Sequence, residues 1–352
     1  MELDPLLTQC IERKASDLHL TVGVPPVFRV DGALVAAQVP NLTPDDIETM
    51  LQAALPADKL AEARRGQNFP ATLRHGGQTF RCLVFRERGH LAAALRVLPD
   101  HLPTLEELHL PPIFETLTQA KHGLILLAGP TGSGKTTTLV SMLDHINQTR
   151  AERIFTVEDP MHYVLSSKLS LVTQRVVGED VESYERGLLS AMDSDPDIVL
   201  VGKMRTPQTA QLALELAENG HLVFSQTTAE TVADAMARLL ALLGDPPDLA
   251  RRLLARTMQA VIAQKLVRRE DRPGRVALNE ILVATPRVRQ MIVEGQTDSA
   301  LLALTMDAAP QAGMQTMDTA LMNQYHQGRI SRETAMLHLK EQGRLPSEPS
   351  PA

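Results

Sequence analysis

A glycine-rich stretch that carries a lysine and hydroxyl groups is the part of the sequence best suited to chemistry. It fits the pattern G-x-x-x-x-G-K-[ST] of a phosphate-binding loop, in which main-chain N–H groups surround an anion without a Cβ in the way. The pattern predicts that Lys135 reaches the β- and γ-phosphates of ATP and that the Thr136 hydroxyl binds Mg²⁺. The predicted nucleotide-binding residues are Gly129, Pro130, Thr131, Gly132, Ser133, Gly134, Lys135, Thr136 and Thr137.

Hydrolysis of a nucleotide also needs carboxylates near the γ-phosphate. Glu158 and Asp159 follow the apolar run 154–157, so they lie at the carboxyl end of a predicted strand. In a doubly wound sheet these strand ends line the ligand crevice. We interpret Glu158 as the catalytic carboxylate, and an ordinary polar turn is the alternative.

Two further strand-associated residues invite a catalytic interpretation. The apolar run 198–201 ends in glycine and then Lys203, where a nucleotide-hydrolysing site would carry an acid. An ammonium cannot hold Mg²⁺, and it acts as a base only with a strongly depressed pKa. We expect Lys203 to pair with a γ-phosphate or with Glu158, or else to point to solvent. His221 opens the next strand, as a catalytic residue or as a structural hydrogen-bonding group.

The elements around these residues alternate between strands and helices, which predicts an α/β fold with a mostly parallel sheet and helices on both faces. An antiparallel pair, 260–267 and 275–282, and four further helices follow. The predicted strands are 124–128, 154–157, 170–173, 198–201 and 222–226. The predicted helices are 134–147, 184–192, 208–219, 231–243, 248–259, 286–294, 298–306, 317–327 and 331–341.

The first part of the chain has a different character, with short strands and turns typical of a small α+β domain. We predict helices at 4–14 and 43–55 and strands at 17–22, 27–30, 69–74, 78–85 and 91–98. The domain boundaries that follow are 1–98 for this domain, 99–113 for a proline-containing linker, 114–345 for the second domain and 346–352 for a disordered tail.

Composition narrows the class of protein. The 352 residues suffice for two domains with cores, and the net charge of -7 argues against a general nucleic-acid or acidic-membrane binder. The chain has only two cysteines, Cys10 and Cys82, and such a small number favours a reducing compartment. The first residues lack the basic start and apolar run typical of a signal peptide, and no apolar run has membrane-spanning length. We expect a cytoplasmic protein that reaches a membrane only through partners.

Taken together, these stretches resemble the type IV pilus retraction ATPases of the PilT and PilU type, within the secretion-system ATPase family. The resemblance covers nearly the whole chain, and its N-terminal and C-terminal signatures are the most specific. The matching stretches are 15–20, 23–26 and 29–32 at the N-terminus, 129–138 (Walker A), 156–160 with 172–175 (Asp box), 195–205 (Walker B position), 220–224 (His box) and 313–318.

The resemblance implies a PAS-like N-terminal α+β domain followed by a RecA-like P-loop ATPase domain with C-terminal helices. It implies a hexameric ring that binds ATP between the two domains of each subunit. It also implies a cytoplasmic location at the inner face of the membrane, where the ring acts on a platform protein of the pilus during twitching motility. Arg81 and Arg96 best match the family arginines that reach the nucleotide phosphates, and exposed strand arginines are the alternative.

Departures from the family pattern cluster where the γ-phosphate would lie. Lys203 replaces a glutamate, Thr228 replaces the second histidine of the His box, and Asp193-Ser194 replaces an arginine–glutamate pair. A late helix also carries Val293 where arginine is usual. Since the phosphate loop is intact, the pattern predicts a subunit that binds ATP but hydrolyses it weakly, and that associates with a paralogous motor.

Two other functions remain open. A fully active retraction ATPase would use Glu158 as its carboxylate near water. A RecA-like nucleic-acid ATPase would use the basic segment 251–275 as a groove, but the acidic composition and the 3% of aromatic residues count against base stacking. We therefore expect no nucleic-acid partner.

Overall fold

A computed structural model describes residues 1–244 and 246–339. The chain forms two compact units, and its α/β class is confirmed. Unit 1 contains Met1–His101 together with two later segments, Pro160–Val164 and Val176–Glu182. Unit 2 contains Leu102–Asp159, Leu165–Arg175 and the described residues from Ser183 to Leu339. The predicted tail 346–352 and the end of the last predicted helix lie outside the described residues.

Unit 1 is built on a six-stranded sheet with strand order β3-β2-β1-β6-β5-β4, all neighbours antiparallel. Most of the strands show the period-2 pattern of a sheet with one covered face, and the helices that cover it are amphipathic. The strands are β1 Asp17–Leu20, β2 Val27–Val30, β3 Ala33–Ala36, β4 Phe69–His75, β5 Gln78–Glu87 and β6 His90–Val97. The helices are α1 Asp4–Glu12, α2 Pro44–Ala54 and α3 Ala57–Arg64.

The two faces of this sheet differ sharply. One face carries fully buried residues such as Leu18, Phe28 and Leu95, which form the unit 1 core with the helices. The opposite face carries charged residues, including Asp17 and Arg96, which are paired directly across β1 and β6. Alternation along β1 and β6 therefore separates an apolar core from a charged surface.

Two elements of unit 1 differ from the sequence prediction. β3, Ala33–Ala36, was not predicted because its four residues are all apolar and show no alternation, and the structure leaves all four exposed. α3, Ala57–Arg64, follows Pro56 and buries only Leu60 and Ala63. The predicted start of α2 is confirmed, since the Thr43 side chain accepts a hydrogen bond from the Asp46 main chain and Pro44 begins the helix.

Unit 2 contains a seven-stranded sheet with strand order β13-β12-β7-β11-β10-β8-β9. β12, β7, β11, β10 and β8 run parallel to one another, and β13 is antiparallel to β12, as predicted. The strands are β7 Gly123–Ala128, β8 Arg153–Glu158, β9 Leu171–Val176, β10 Ile198–Val201, β11 Leu222–Thr227, β12 Met258–Arg268 and β13 Arg275–Val283.

Helices of unit 2 connect and cover these strands. Every helix predicted in this part of the chain is present, with ends that differ by a few residues, except that the prediction for the last one extends beyond the described residues. The helices are α4 Ile113–Thr118, α5 Lys135–Thr149, α6 Tyr184–Met192, α7 Pro207–Glu218, α8 Val232–Leu243, α9 Pro247–Thr257, α10 Pro286–Glu294, α11 Ser299–Asp307, α12 Met317–His326 and α13 Arg332–His338.

Candidate nucleotide site

The glycine-rich loop connects the buried strand β7 to the helix α5, as a phosphate-binding loop must. Gly129, Gly132 and Gly134 have φ values of 151°, 81° and 84°, which side-chain-bearing residues rarely adopt. A Cβ on Gly129 would lie 2.4 Å from the Gln264 main-chain oxygen. The glycine pattern is therefore required both by the turn and by the close approach of β12.

The Lys135 ammonium is folded back into this loop. Its Nζ donates hydrogen bonds of 2.8 Å to each of the Gly129 and Pro130 carbonyl oxygens, and the residue is only 8% exposed. Burial lowers the pKa of Lys135 from its ordinary value. The carbonyl contacts hold the cation at the loop, where an anionic phosphate would be attracted to it.

The amino terminus of α5 provides the second feature of an anion site. The first main-chain N–H groups of any helix lack partners within that helix, and the helix dipole adds positive potential there. Gly134 caps α5 in a left-handed conformation, and the first turn of this 15-residue helix carries no acidic residue. Thr137 lies in the same turn, and its carbonyl accepts a 2.8 Å hydrogen bond from Ser141.

A buried glutamine on β12 braces the loop from behind. The Gln264 Nε2 donates 2.7 Å to the Ser133 carbonyl, and its Oε1 accepts 3.0 Å from the Thr138 hydroxyl. Gln264 is 1% exposed. Gln264 was not predicted as a site residue, although a carboxamide in the mainly apolar predicted strand 260–267 is a signal that could have identified it.

A second glutamine contacts the hydroxyl that is predicted to bind Mg²⁺. The Thr136 Oγ1 donates to the Gln226 Oε1 at 3.3 Å. Gln226 lies on β11, directly opposite Leu127 of β7. In the sequence, Gln226 is only the last residue of the predicted strand 222–226, and no motif gives it a role.

Glu158 is the last residue of β8 and is 3% exposed. Burial raises the pKa of Glu158, although hydrogen bonds from Gln174 and Thr156 to the same oxygen, Oε1, oppose the shift. The bonds measure 3.0 and 2.8 Å. A buried carboxyl with a raised pKa at the end of a parallel strand is a candidate for proton transfer.

Lys203 lies beside Asp159 at the ends of β10 and β8. Its Nζ is 3.8 Å from the Asp159 carboxylate and also donates a hydrogen bond to the Asp159 main-chain carbonyl. Gly202 makes this possible, because a Cβ there would lie 3.0 Å from the Val157 carbonyl oxygen. Lys203 and Asp159 are therefore brought together by close packing of two neighbouring strands.

His221 and Thr228 lie at opposite ends of strand β11. Thr227 pairs with Ala128, the residue before the phosphate loop, and the exposed Thr228 follows it. His221 precedes Leu222, which pairs with Gly123 at the other end of β7. At roughly 3.3 Å per residue, the histidine is about 20 Å along the strand from Thr227. The structure does not bring His221 to the phosphate loop.

The His221 ring instead contacts a turn at the amino ends of the strands. Its Nδ1 lies 2.5 Å from the Pro196 carbonyl oxygen, which precedes β10. The main-chain carbonyl of His221 also accepts a hydrogen bond from Gly123 at 3.0 Å. These contacts correspond to the structural role that the sequence analysis left open for this residue.

The two candidate arginines, Arg81 and Arg96, lie directly opposite each other on β5 and β6 in unit 1. Both are on the charged face of that sheet. The Arg96 Nε donates 2.7 Å to the Asp17 Oδ1, while its side chain stays 55% exposed. Burial would raise the pKa of Asp17, but hydrogen bonds from Arg96 and Ser16 outweigh it and hold the pKa below its ordinary value.

The site offers few direct protein ligands for a metal. Within residues 1–244 and 246–339 there is no group of three or more histidine, cysteine, aspartate or glutamate side chains that could hold a metal ion. At a phosphate loop, Mg²⁺ is held mainly by a hydroxyl, phosphates and water, and Thr136 is the hydroxyl that the motif provides. Over the same residues, none of the helices is long and apolar enough to cross a membrane.

The chain is similar to known secretion and pilus proteins over nearly its whole length. The chain matches the profile of the Type II/IV secretion system protein family over residues 1–336. It is 35% identical over 354 residues to the type IV pilus retraction ATPase PilT of Pseudomonas aeruginosa, covering 98% of this chain and 99% of that protein. It is 34% identical over 343 residues to the type IV pilus ATPase PilU of the same organism, covering 96% and 88%.

A solved structure is similar over the same extent. The pilus retraction motor PilT with bound ADP superposes with a TM-score of 0.88 at 36% sequence identity, covering 98% of this chain and 99% of that one. The similarity therefore spans both units and is not limited to the phosphate loop.

Proposed function

This chain belongs to the Type II/IV secretion system protein family, among the type IV pilus retraction ATPases, and on that premise we propose that it is an ATP-binding motor subunit with weak hydrolysis. The family predicted from the sequence is confirmed, as is its fold of an N-terminal domain followed by a RecA-like ATPase domain. The binding of ATP, the weak turnover and the assembly are the proposal.

One observation carries the proposal: the phosphate loop is complete, while an ammonium lies at the strand end where hydrolysis calls for a carboxylate. Binding depends mainly on the loop amides, on Lys135 and on the α5 terminus. Hydrolysis depends on groups that orient and deprotonate water, and losing one such group costs about 10² to 10⁴ in rate. Lys203 beside Asp159 supplies a cation at that place.

Mg²⁺ fits the residues of this site. Thr136 would be its protein ligand, and Glu158 lies at the end of a strand of the same sheet. When bound, the ion would neutralise charge on the β- and γ-phosphates. Lys135 binds and orients the phosphates, and the buried Glu158 holds a proton or accepts one from water.

The wider assignment rests on the family. We propose a homo-oligomeric, hexameric ring at the inner face of the cytoplasmic membrane, where it contacts a platform protein and associates with a paralogous motor ATPase. Arg81 and Arg96 enter the proposal as phosphate-contacting residues, supported by the exposure of the Arg96 side chain. Nucleic acid is not among the proposed partners.

A fully active retraction ATPase is the second candidate. The observation that favours it is the raised pKa of the buried Glu158, because a carboxylate poised in this way can act as a base without help from a second acid. In that case Lys203 would have no effect on turnover.

The test measures ATP binding and steady-state ATPase activity on the purified full chain beside Lys135→Ala. We expect clear ATP binding with very low turnover in the native chain, and loss of binding in Lys135→Ala. Lys121→Ala changes a lysine whose side chain is 79% exposed, and it serves as the matched control. Rapid turnover that Lys135→Ala abolishes would establish the active motor, and absence of binding would refute both candidates.

A further inference from the structure

We propose that Gln226 is a positioning residue for Mg²⁺, which holds the Thr136 hydroxyl in the orientation that exposes an oxygen lone pair to the metal. The inference deepens the proposed function and rests on it. It assigns a role to a residue that neither the motif nor the acidic groups account for.

The contact that supports this role is direct. The Thr136 Oγ1 and the Gln226 Oε1 are 3.3 Å apart, with the hydroxyl as the donor. Thr136 is in the first turn of α5, immediately after the loop lysine. Gln226 comes from a different element, β11, so its carboxamide fixes the threonine from outside the phosphate loop.

The chemistry of a metal-bound hydroxyl requires such an acceptor. A threonine hydroxyl binds a cation through an oxygen lone pair, so its hydrogen must point away from the ion. The Gln226 Oε1 is already in position to accept a hydrogen bond from that hydroxyl. A separation of 3.3 Å is long for an O–H···O hydrogen bond, and a cation on the oxygen would polarise the O–H group and strengthen the bond.

Gln226 lies on a central strand whose main chain is held on both sides. β11 lies between β7, which leads into the phosphate loop, and β10, which leads to Lys203. Its register is set on both sides, with Gln226 opposite Leu127 and the preceding Ser225 opposite Val201. The Ser225 hydroxyl also donates 2.8 Å to the Val201 carbonyl. A partner of a metal ligand needs a rigid support of this kind.

Gln264 provides the contrast within the same site. It supports the loop through the Ser133 carbonyl and the Thr138 hydroxyl, neither of which is the predicted metal ligand. Removing its carboxamide should weaken nucleotide binding whether or not a metal is present. The two glutamines therefore separate support of the loop from positioning of the metal ligand.

The experiment compares the dissociation constant of a fluorescent ADP analogue, N-methylanthraniloyl-ADP, in excess Mg²⁺ and in EDTA. The magnesium ratio is the constant in EDTA divided by the constant in Mg²⁺. We expect Gln226→Leu to reduce this ratio about tenfold, as loss of a metal's outer-shell partner typically does, with little change in EDTA. Gln226→Glu retains the acceptor and should retain the ratio. Gln264→Leu should raise both constants and leave the ratio unchanged.

Thermal unfolding of each variant reports whether it is folded, and Gln226→Glu keeps the test decisive if Gln226→Leu does not fold. An unchanged ratio in folded Gln226→Leu, or a loss of the ratio in Gln226→Glu, overturns the inference. An equal fall in the ratio for Gln264→Leu overturns it too, because the effect would then belong to the loop as a whole. A native chain that binds the analogue with no magnesium dependence refutes this inference alone, whereas a chain that binds no nucleotide refutes the proposed function.

Discussion

The Lys203 ammonium lies 3.8 Å from the Asp159 carboxylate and donates a hydrogen bond to the main-chain carbonyl of the same residue. The two side chains are 31% and 43% exposed, so the pair contributes less than about 1 kcal/mol to stability. Its importance lies in where it places a positive charge. The cation lies at the carboxyl ends of β8 and β10, beside the residue that follows the candidate catalytic Glu158.

The first prediction reverses this charge. Lys203→Glu should raise the steady-state ATPase rate about 10²-fold, because it restores an acid at the end of β10. Lys203→Met removes the cation without supplying a carboxylate and should raise the rate much less. If neither variant changes the rate, the loss of hydrolysis is shared with other positions, and Lys203→Glu combined with Thr228→His is the next variant to assay.

The second prediction concerns the buried carboxyl of Glu158, whose pKa is raised above the ordinary value of 4.5 by burial. As pH rises from 4.5 to the raised pKa, the unfolded chain has released a proton that the folded protein retains. The free energy of unfolding therefore falls with increasing pH across that window. Glu158→Gln removes this titration and retains an acceptor for Thr156 and Gln174.

We expect the thermal midpoint of Glu158→Gln to rise relative to that of the native chain as pH increases through this window. Thermal unfolding monitored by circular dichroism across the pH range measures the difference. Glu115→Gln, at an exposed position of α4, is the control. Parallel pH profiles for the native chain and Glu158→Gln would contradict the prediction.

The third prediction separates two loop glycines that look equivalent in the sequence motif. A Cβ on Gly129 would lie 2.4 Å from the Gln264 carbonyl oxygen and 2.5 Å from the Ser133 Oγ, whereas a Cβ on Gly132 would meet nothing within 4 Å. Gly132→Ala should cost only the backbone strain, about 1–2 kcal/mol, and weaken ATP binding about tenfold. Gly129→Ala should abolish binding. Equal losses, measured by titration of a fluorescent nucleotide, would show that the contact with β12 is not the deciding factor.

The fourth prediction tests the structural role of His221. His221→Ala removes the 2.5 Å contact with the Pro196 carbonyl and should lower stability by about 1 kcal/mol. The nucleotide dissociation constant should stay unchanged, because the ring is at the far end of β11 from the loop. Denaturant unfolding and nucleotide titration on the same variant give both values. Loss of ATP turnover with unchanged stability would instead establish a catalytic role.

The strands of unit 2 were predictable because parallel strands covered on both faces are continuous apolar runs. β7 and β10 are fully buried along their whole length, and each stands out in the sequence for that reason. Unit 1 was harder. Its edge strand β3 is a short apolar run, Ala33–Ala36, that is nevertheless exposed throughout, so neither polar–apolar alternation nor burial marks it.

The side-chain pairs that the motifs did not predict join residues that are far apart in the sequence. The partner of Thr136 is 90 residues away on β11, and the partner of Thr138 is 126 residues away on β12. Lys203 was expected to meet a phosphate or Glu158 or to point to solvent, and the structure places it against Asp159, 44 residues earlier. Each of these pairings depends on which strands become neighbours.

The sequence by itself determined the phosphate loop, the alternation of strands and helices, and the family. These are local properties, because a glycine spacing or an apolar run acts within one element and can be recognised there. Only the tertiary structure decided that Gln264 and Gln226 support the loop and its threonine, that Lys203 pairs with Asp159, and that His221 lies away from the phosphates. Strand order and register set those distances, and they arise from packing of the whole sheet rather than from any one segment.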